Sequence, residues 1–195
     1  MQFLSPLMNF RKDKWGGNLE NRTRIHKSII EAIRDELGDD YPVIIKLGME
    51  DSFERGLKFE DGKKLAKLIC SYGYDAIEIS QGLQDLNNFS KTPMRIGINK
   101  LEDEAYFKNW SIEVKKLIDI PVILTGGLRS YELIDSVLEN NEADCIGLCR
   151  PLIREPGLVK RWKNQDYRKA TCISCNKCIT EVLLKGHSLE CYLDK

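Results

Sequence analysis

A regular exchange between two hydrophobic periods constrains this chain more than any other feature in it. Ile25, Ile29, Ile33 and Leu37 recur at every fourth position, which predicts a helix over residues 21–37 with Gly38 as its left-handed stop. VIIKL, residues 43–47, is a short β-branched run that predicts a buried strand. EDGKKLAKLICSYG then sets Leu65, Leu68, Ile69 and Tyr72 at helical spacing before Gly73, and DAIEIS, residues 75–80, predicts the second strand. After a longer loop rich in Asn, Ser and Pro, Tyr106, Trp110, Val114 and Leu117 mark a third helix. PVILTGG predicts a third strand, residues 130–138 another helix, and DCIGLC, residues 144–149, a fourth strand.

Strands joined through helices of this length are βα units, whose right-handed crossovers build a parallel sheet: the fold class is α/β. Parallel folds keep their ligands at the C-terminal ends of the strands. Those ends carry Lys46, Ser80, Thr125-Gly126-Gly127 and Cys149-Arg150. A doubly wound sheet and a barrel share this alternation. GMEDSFERG after the first strand is not the GxGxxG turn of a dinucleotide fold, but periodicity alone leaves the choice open.

Composition removes several classes of function. A chain of 195 residues suits one domain, and its 30 basic and 30 acidic residues leave no net charge, hence no footprint for nucleic acid or an anionic membrane. The opening has no apolar signal region, and no apolar run reaches the roughly 18 residues a membrane span needs, so the expected location is cytoplasmic. Seven cysteines would suggest disulfides in a small secreted protein, but four fall in the last 24 residues, which points to a local site.

ILTGGLRS brings two residues without Cβ to a strand end just before a helix, where backbone N–H groups can approach an anion closely. GLCRPL, one βα unit later, adds an arginine whose fork of donors suits phosphate. Each motif alone reads better as a plain turn and a surface arginine than as a site; together they favour a phosphate site at Gly126, Gly127 and Arg150. Lys46 ends an otherwise apolar strand, so it either lends positive charge to a bound cofactor or points outward into solvent. In the tail, Cys172, Cys175, Cys178 and Cys191 form C-x2-C-x2-C-x12-C, a close trio and a distant fourth thiolate able to complete a tetrahedral metal site or ligate a cluster. His187 lies in the same tail and could replace a cysteine as ligand, but the favoured expectation is exposure to solvent, while Cys70 and Cys145 are expected to pack as small apolar side chains.

QFLSPLMNFRKDKWGGNLENRTR closely resembles a segment of the Old Yellow Enzyme family of flavin-dependent oxidoreductases, through Gln2 to Pro6, Asn9, Arg11, Asp13, Gly16, Gly17, Glu20, Asn21 and Arg22. Trp15 stands for the usual Tyr and Asn18 for the usual Ser. EAYFKNWSIEVKK, PVILTGGLRS and ADCIGLCRPLIREPGL continue the resemblance in order along essentially the whole chain. It implies an FMN-binding (β/α)8 TIM barrel, present here as roughly strands five to eight with their helices: residues 1–165 the C-terminal half of the barrel, residues 166–195 a cysteine-rich tail. It also implies Lys46 where the family carries an arginine facing the flavin ring, and Gly126, Gly127, Cys149 and Arg150 on the segments that hold the FMN phosphate. Lys46 lacks the bidentate fork of that arginine, and Cys149 replaces a residue that is usually Gly or Ala.

The tail resembles the dienoyl-CoA reductase branch, whose C-x2-C-x3-C-x11-C holds a [4Fe–4S] cluster; the spacing here differs by one residue, so the cluster comes first and zinc second. The family's substrate-binding His and His/Asn pair and its proton-donating Tyr precede the QFLSP segment. The resemblance therefore assigns this chain no catalytic residue and implies that alone it lacks turnover. Its partners would be NAD(P)H and a small unsaturated substrate once the barrel is completed by a second copy or a separate N-terminal half. The alternative is a non-catalytic remnant or half-barrel assembly module that needs a partner half. A complete barrel of this kind takes about 250 residues, and four strands by themselves leave two open edges.

Overall fold

The structure is a computed structural model that describes residues 1–85 and 92–193; part of the predicted Asn- and Ser-rich loop lies outside them. Four parallel strands, β1 (Ile44–Gly48), β2 (Ala76–Ser80), β3 (Val122–Leu124) and β4 (Cys145–Ile146), stand in the order β1-β2-β3-β4. Between them run α1 (Leu19–Leu37), which precedes β1, then α2 (Phe59–Cys70), α3 (Lys108–Lys115) and α4 (Tyr131–Glu139). Two short helices, α5 (Arg150–Arg154) and α6 (Leu158–Lys163), follow β4, and α7 (Lys177–Lys185) lies in the tail. Among the described residues no helix is long and apolar enough to cross a membrane.

The register explains what each face of the sheet does. Ile45, Ile77 and Val122 lie side by side, as do Leu47 and Ile79, and these residues with Leu124 form the apolar layer under the helices. Leu65 and Ile69 of α2 and Val114 of α3 meet that layer from the other side, all fully buried. On the opposite face the neighbours are Lys46, Glu78, Ile123 and Cys145. This corrects the expectation for Cys145. Its pairing with Ile123 turns the thiol away from the helices, and it is exposed, whereas Cys70 is buried on α2 and its thiol is pushed up to about 12 by burial. β4 is also shorter than predicted, because the chain leaves the ladder after Ile146 to approach the site.

The first helix forms where the periodicity placed it but turns a different face to the core. Four residues advance a helix by about 40° more than a full turn, so the stripe from Ile25 to Leu37 winds outward. Ile29 and Leu37 are exposed and the core contact is Ile30. Asn18 caps this helix through its side chain, accepting from the Asn21 amide at 2.8 Å.

The N-terminal motif folds into a clasp over the end of β1. Asn9 Nδ2 donates to the carbonyls of Phe3 (2.8 Å) and Trp15 (2.7 Å), and Arg22 Nη1 donates to the Leu4 carbonyl (2.5 Å). Ser5 Oγ donates to Asp51 Oδ2 at 2.6 Å, while Asp51 also accepts from the amides of Leu57 (2.8 Å) and Leu83 (2.7 Å). A carboxylate buried in this way leaves its oxygens without water, and these donors meet them.

Candidate functional site

The C-terminal ends of the strands open into a cleft of about 420 Å³. Lys46, Gly126, Gly127, Cys149 and Arg150, the five positions singled out in the sequence, all line it, together with Glu78, Tyr106, Thr125 and Arg129. Lys46 lines the cleft while 58% of its side chain stays exposed, and it pairs with Glu78, its direct neighbour across β1 and β2. Cys149 reaches the cleft from the residue before α5 and stays exposed.

Gly126 (φ 111°) and Gly127 (φ 76°) adopt backbone that L side chains rarely take, and a Cβ on either would come within 2.8 Å of the Tyr106 ring. The turn therefore lies directly against an aromatic wall, with Tyr106 fixed by its hydroxyl bond to the Pro93 carbonyl at 2.8 Å. Burial holds the Tyr106 phenol above its ordinary value, against the opposing pull of Arg150 and Arg95.

In one respect the turn differs from expectation. The amides that open α4 belong to an internal carboxylate: Glu104 Oε2 accepts from the Arg129 amide (2.8 Å) and the Ser130 amide (2.9 Å). Glu104 Oε1 accepts from Ser130 Oγ (2.9 Å) and Lys169 Nζ (2.6 Å), and its side chain is 0% exposed. A helix N-terminus attracts an anion, and here the protein supplies its own. What the cleft retains for a ligand is the turn itself, since among the described residues the backbone amides of Gly127, Leu128 and Cys149 meet no acceptor, together with two guanidiniums. Arg150 is buried and gives Nη1 to the carbonyl of Arg95 (2.8 Å) and to Asn176 Oδ1 (2.5 Å). Arg129 is buried, gives Nη1 to the Cys172 carbonyl, and sets Nε 4.0 Å from Glu104 Oε1, an ion-pair separation without a hydrogen bond.

The sequence contained Glu104, Arg129 and Asn176 without marking them. Glu104 and Arg129 matter through burial after folding, and Asn176 through the contacts that its amide makes across the fold. Arg129 alone had a local signal, its place two residues after the paired glycines.

The four tail cysteines line one small cavity with Arg150 and Ile153. Cys172 Sγ accepts from the Ser174 amide at 3.5 Å, Arg154 Nη1 reaches Cys191 Sγ at 3.8 Å, and burial holds the Cys178 thiol above its ordinary value. Among the described residues no three potential ligands already stand at metal-binding separation. His187 is exposed and its Nδ1 lies 3.0 Å from Glu181, facing solvent as expected.

Comparison with known proteins agrees with this geometry. An NADH oxidase from Thermoanaerobacter brockii is 32% identical over 198 residues, which cover 97% of this chain and 29% of that protein. A 2-naphthoyl-CoA reductase structure superposes with a TM-score of 0.82 at 28% identity, covering 97% of this chain and 28% of that one. An Old Yellow Enzyme homologue from Zymomonas mobilis shares the fold with a TM-score of 0.62 at 20% identity, covering 89% of this chain and 45% of that one. The chain thus spans under a third of the oxidase and reductase that it matches over nearly its whole length. The sequence profile of the NADH:flavin oxidoreductase / NADH oxidase family matches residues 1–169, and the chain belongs to that family.

Proposed function

We propose that this chain is the phosphate-holding half, roughly strands five to eight, of an FMN-binding (β/α)8 barrel working in NAD(P)H-dependent reduction of a small unsaturated substrate. The observation that carries the proposal is that one cleft collects Lys46, Gly126, Gly127, Cys149 and Arg150 from three separate strand ends. The residues fit the cofactor. The amides of Gly127, Leu128 and Cys149 meet no acceptor among the described residues, and a phosphate group provides acceptors for open backbone amides and for a neighbouring guanidinium. Gly126, Gly127, Cys149 and Arg150 would hold the phosphate, and Lys46 would set a positive charge beside the ring. FMN supplies the hydride chemistry when bound; this chain's part is to bind, orient and balance charge.

Residues 1–165 make up the barrel half in this proposal and residues 166–195 the tail, a division supported by the family match ending at residue 169. The tail's Cys172, Cys175, Cys178 and Cys191 would hold a [4Fe–4S] cluster, or zinc in its place. Support comes from the donor set, four thiols around one cavity. Sheet edges left open at β1 and β4 call for a covering partner, either a second copy or an N-terminal half.

Titrating the purified chain with FMN and following flavin fluorescence tests the site. Saturable quenching that weakens at least tenfold in Arg150→Ala supports the proposal, and unchanged affinity in that variant refutes it. An absorption spectrum with metal analysis of anaerobically prepared protein separates cluster from zinc.

A further inference from the structure

Both guanidiniums in the cleft wall are held from the cysteine tail. Arg150 reaches Asn176 Oδ1 at 2.5 Å, and Arg129 reaches the carbonyl of Cys172. The tail segment is itself fastened to the cleft side: Asn176 Nδ2 donates to the Met94 carbonyl at 2.7 Å, and the Gly97 amide donates to the Ser174 carbonyl at 3.2 Å. Arg150 is the residue common to the two cavities, lining the cleft on one side and the pocket of four thiols on the other. A free arginine gives up considerable rotamer freedom when it closes on an anion, and a side chain already fixed avoids that loss on binding.

We infer that residues 172–176 are a positioning device: the cysteine loop aims Arg129 and Arg150, with Asn176 as the positioning residue for Arg150, so that loop order and the cleft's affinity for a phosphate group form one coupled equilibrium. This rests on the reading of the cleft as an FMN phosphate site. Because coupling between two sites is reciprocal, a metal that ties the thiols together tightens the cleft for the anion, and the anion tightens the thiols' hold on the metal by the same factor.

The test uses the full reduced chain, with zinc as the metal probe and FMN as the anion probe. Zinc-loaded protein binds FMN about fivefold or more tightly than stripped protein, and saturating FMN raises zinc affinity equally. Asn176→Gly removes the side chain at a left-handed position (φ 59°) where glycine carries no strain; this variant still takes up zinc but shows a reduced zinc dependence of FMN binding, the remainder carried by the Arg129 contact to the Cys172 carbonyl. Equal FMN affinity with and without zinc in the unaltered chain overturns the inference, a result that needs no variant to fold. Failure of the unaltered chain to bind FMN under either condition would instead remove the functional reading on which the inference stands.

Discussion

Replacing Glu104 by alanine tests the site's internal framework most severely. Its carboxylate is wholly buried and accepts from Lys169 Nζ at 2.6 Å, the Arg129 amide at 2.8 Å, and the amide and hydroxyl of Ser130, both at 2.9 Å. Alanine takes the shared acceptor from two backbone N–H groups, the Ser130 hydroxyl and two cations, Lys169 and the buried Arg129. Removing one partner of a buried ion pair costs about 3–5 kcal/mol, and each kilocalorie lowers the melting temperature of a domain this size by roughly 2–4 °C, so the expected fall is on the order of 10 °C. Glutamine keeps the shape and one acceptor oxygen but turns an N–H2 group on these donors, and should lose about half as much.

The pH response of the same residue gives an independent check. Burial by itself pushes the Glu104 carboxyl up, but Lys169 and the donors of Arg129 and Ser130 outweigh it and hold the group below its ordinary value. A folded-state value below the unfolded one means that the group's stabilisation is complete above the ordinary carboxylate range and is lost as pH falls through the folded value. Thermal melts of the unaltered chain, Glu104→Ala and Glu104→Gln between pH 7 and pH 3 therefore converge at the acid end. A melting temperature for Glu104→Ala within about 2 °C of the parent at pH 7, which is under ~1 kcal/mol, would refute the account of this carboxylate as the anchor of the glycine turn.

Gly127→Ala must place a Cβ at φ 76° and 2.8 Å from the Tyr106 ring, so urea denaturation should show a loss of about 1–3 kcal/mol together with weaker FMN binding. Lys46→Met removes an ion pair to Glu78 that is largely open to solvent; stability should move by less than ~1 kcal/mol while FMN affinity falls, and a parallel loss of both in titration and melting experiments would contradict the role given to the lysine. His26 is lowered to about 4, first by burial and then by the positive amino terminus. The unfolded chain therefore takes up this proton first as pH drops from about 6.5, and His26→Asn should flatten the decline in stability between pH 6.5 and pH 4 in denaturant titrations.

The parts of this fold that local patterning determines were legible in the sequence. The β-branched runs became strands, Gly38 ended the first helix with φ 78°, and the paired glycines took positive φ just after β3. The features that were not legible depend on pairing across long separations. Which side of the sheet Cys145 would face is fixed by its register with Ile123, and a two-residue strand carries too little alternation to announce it. Glu104 lies in a stretch dense with charge, LEDEAY, where nothing local separates the buried carboxylate from Glu102 and Asp103, which stay in solvent. The N-terminal motif was recognisable as a family signature. Its physical content emerged only in three dimensions, with Ser5, Asn9 and Arg22 anchoring a loop that has no strand of its own.

The uncovered face of the sheet carries the argument one step further. A closed barrel fills its interior with layers of branched apolar side chains, yet here Lys46 and Glu78 stand together on that face beside Ile123. Covering an ion pair with apolar neighbours costs more than its mutual attraction returns unless the remaining hydrogen-bonding groups are also met. A lysine has three donors, and the bond to Glu78 uses one of them. Under the proposed completion of the barrel, a cover over β1 and β2 would therefore have to bring acceptors to Lys46, or leave room for a ligand that does. A purely apolar cover, such as would complete an ordinary barrel core, is the poorest fit. The strand end where this requirement arises is also where the glycine turn and the two arginines converge on one cleft, so the polar ligand that would satisfy the lysine and the anion that would satisfy the turn can be two ends of the same molecule.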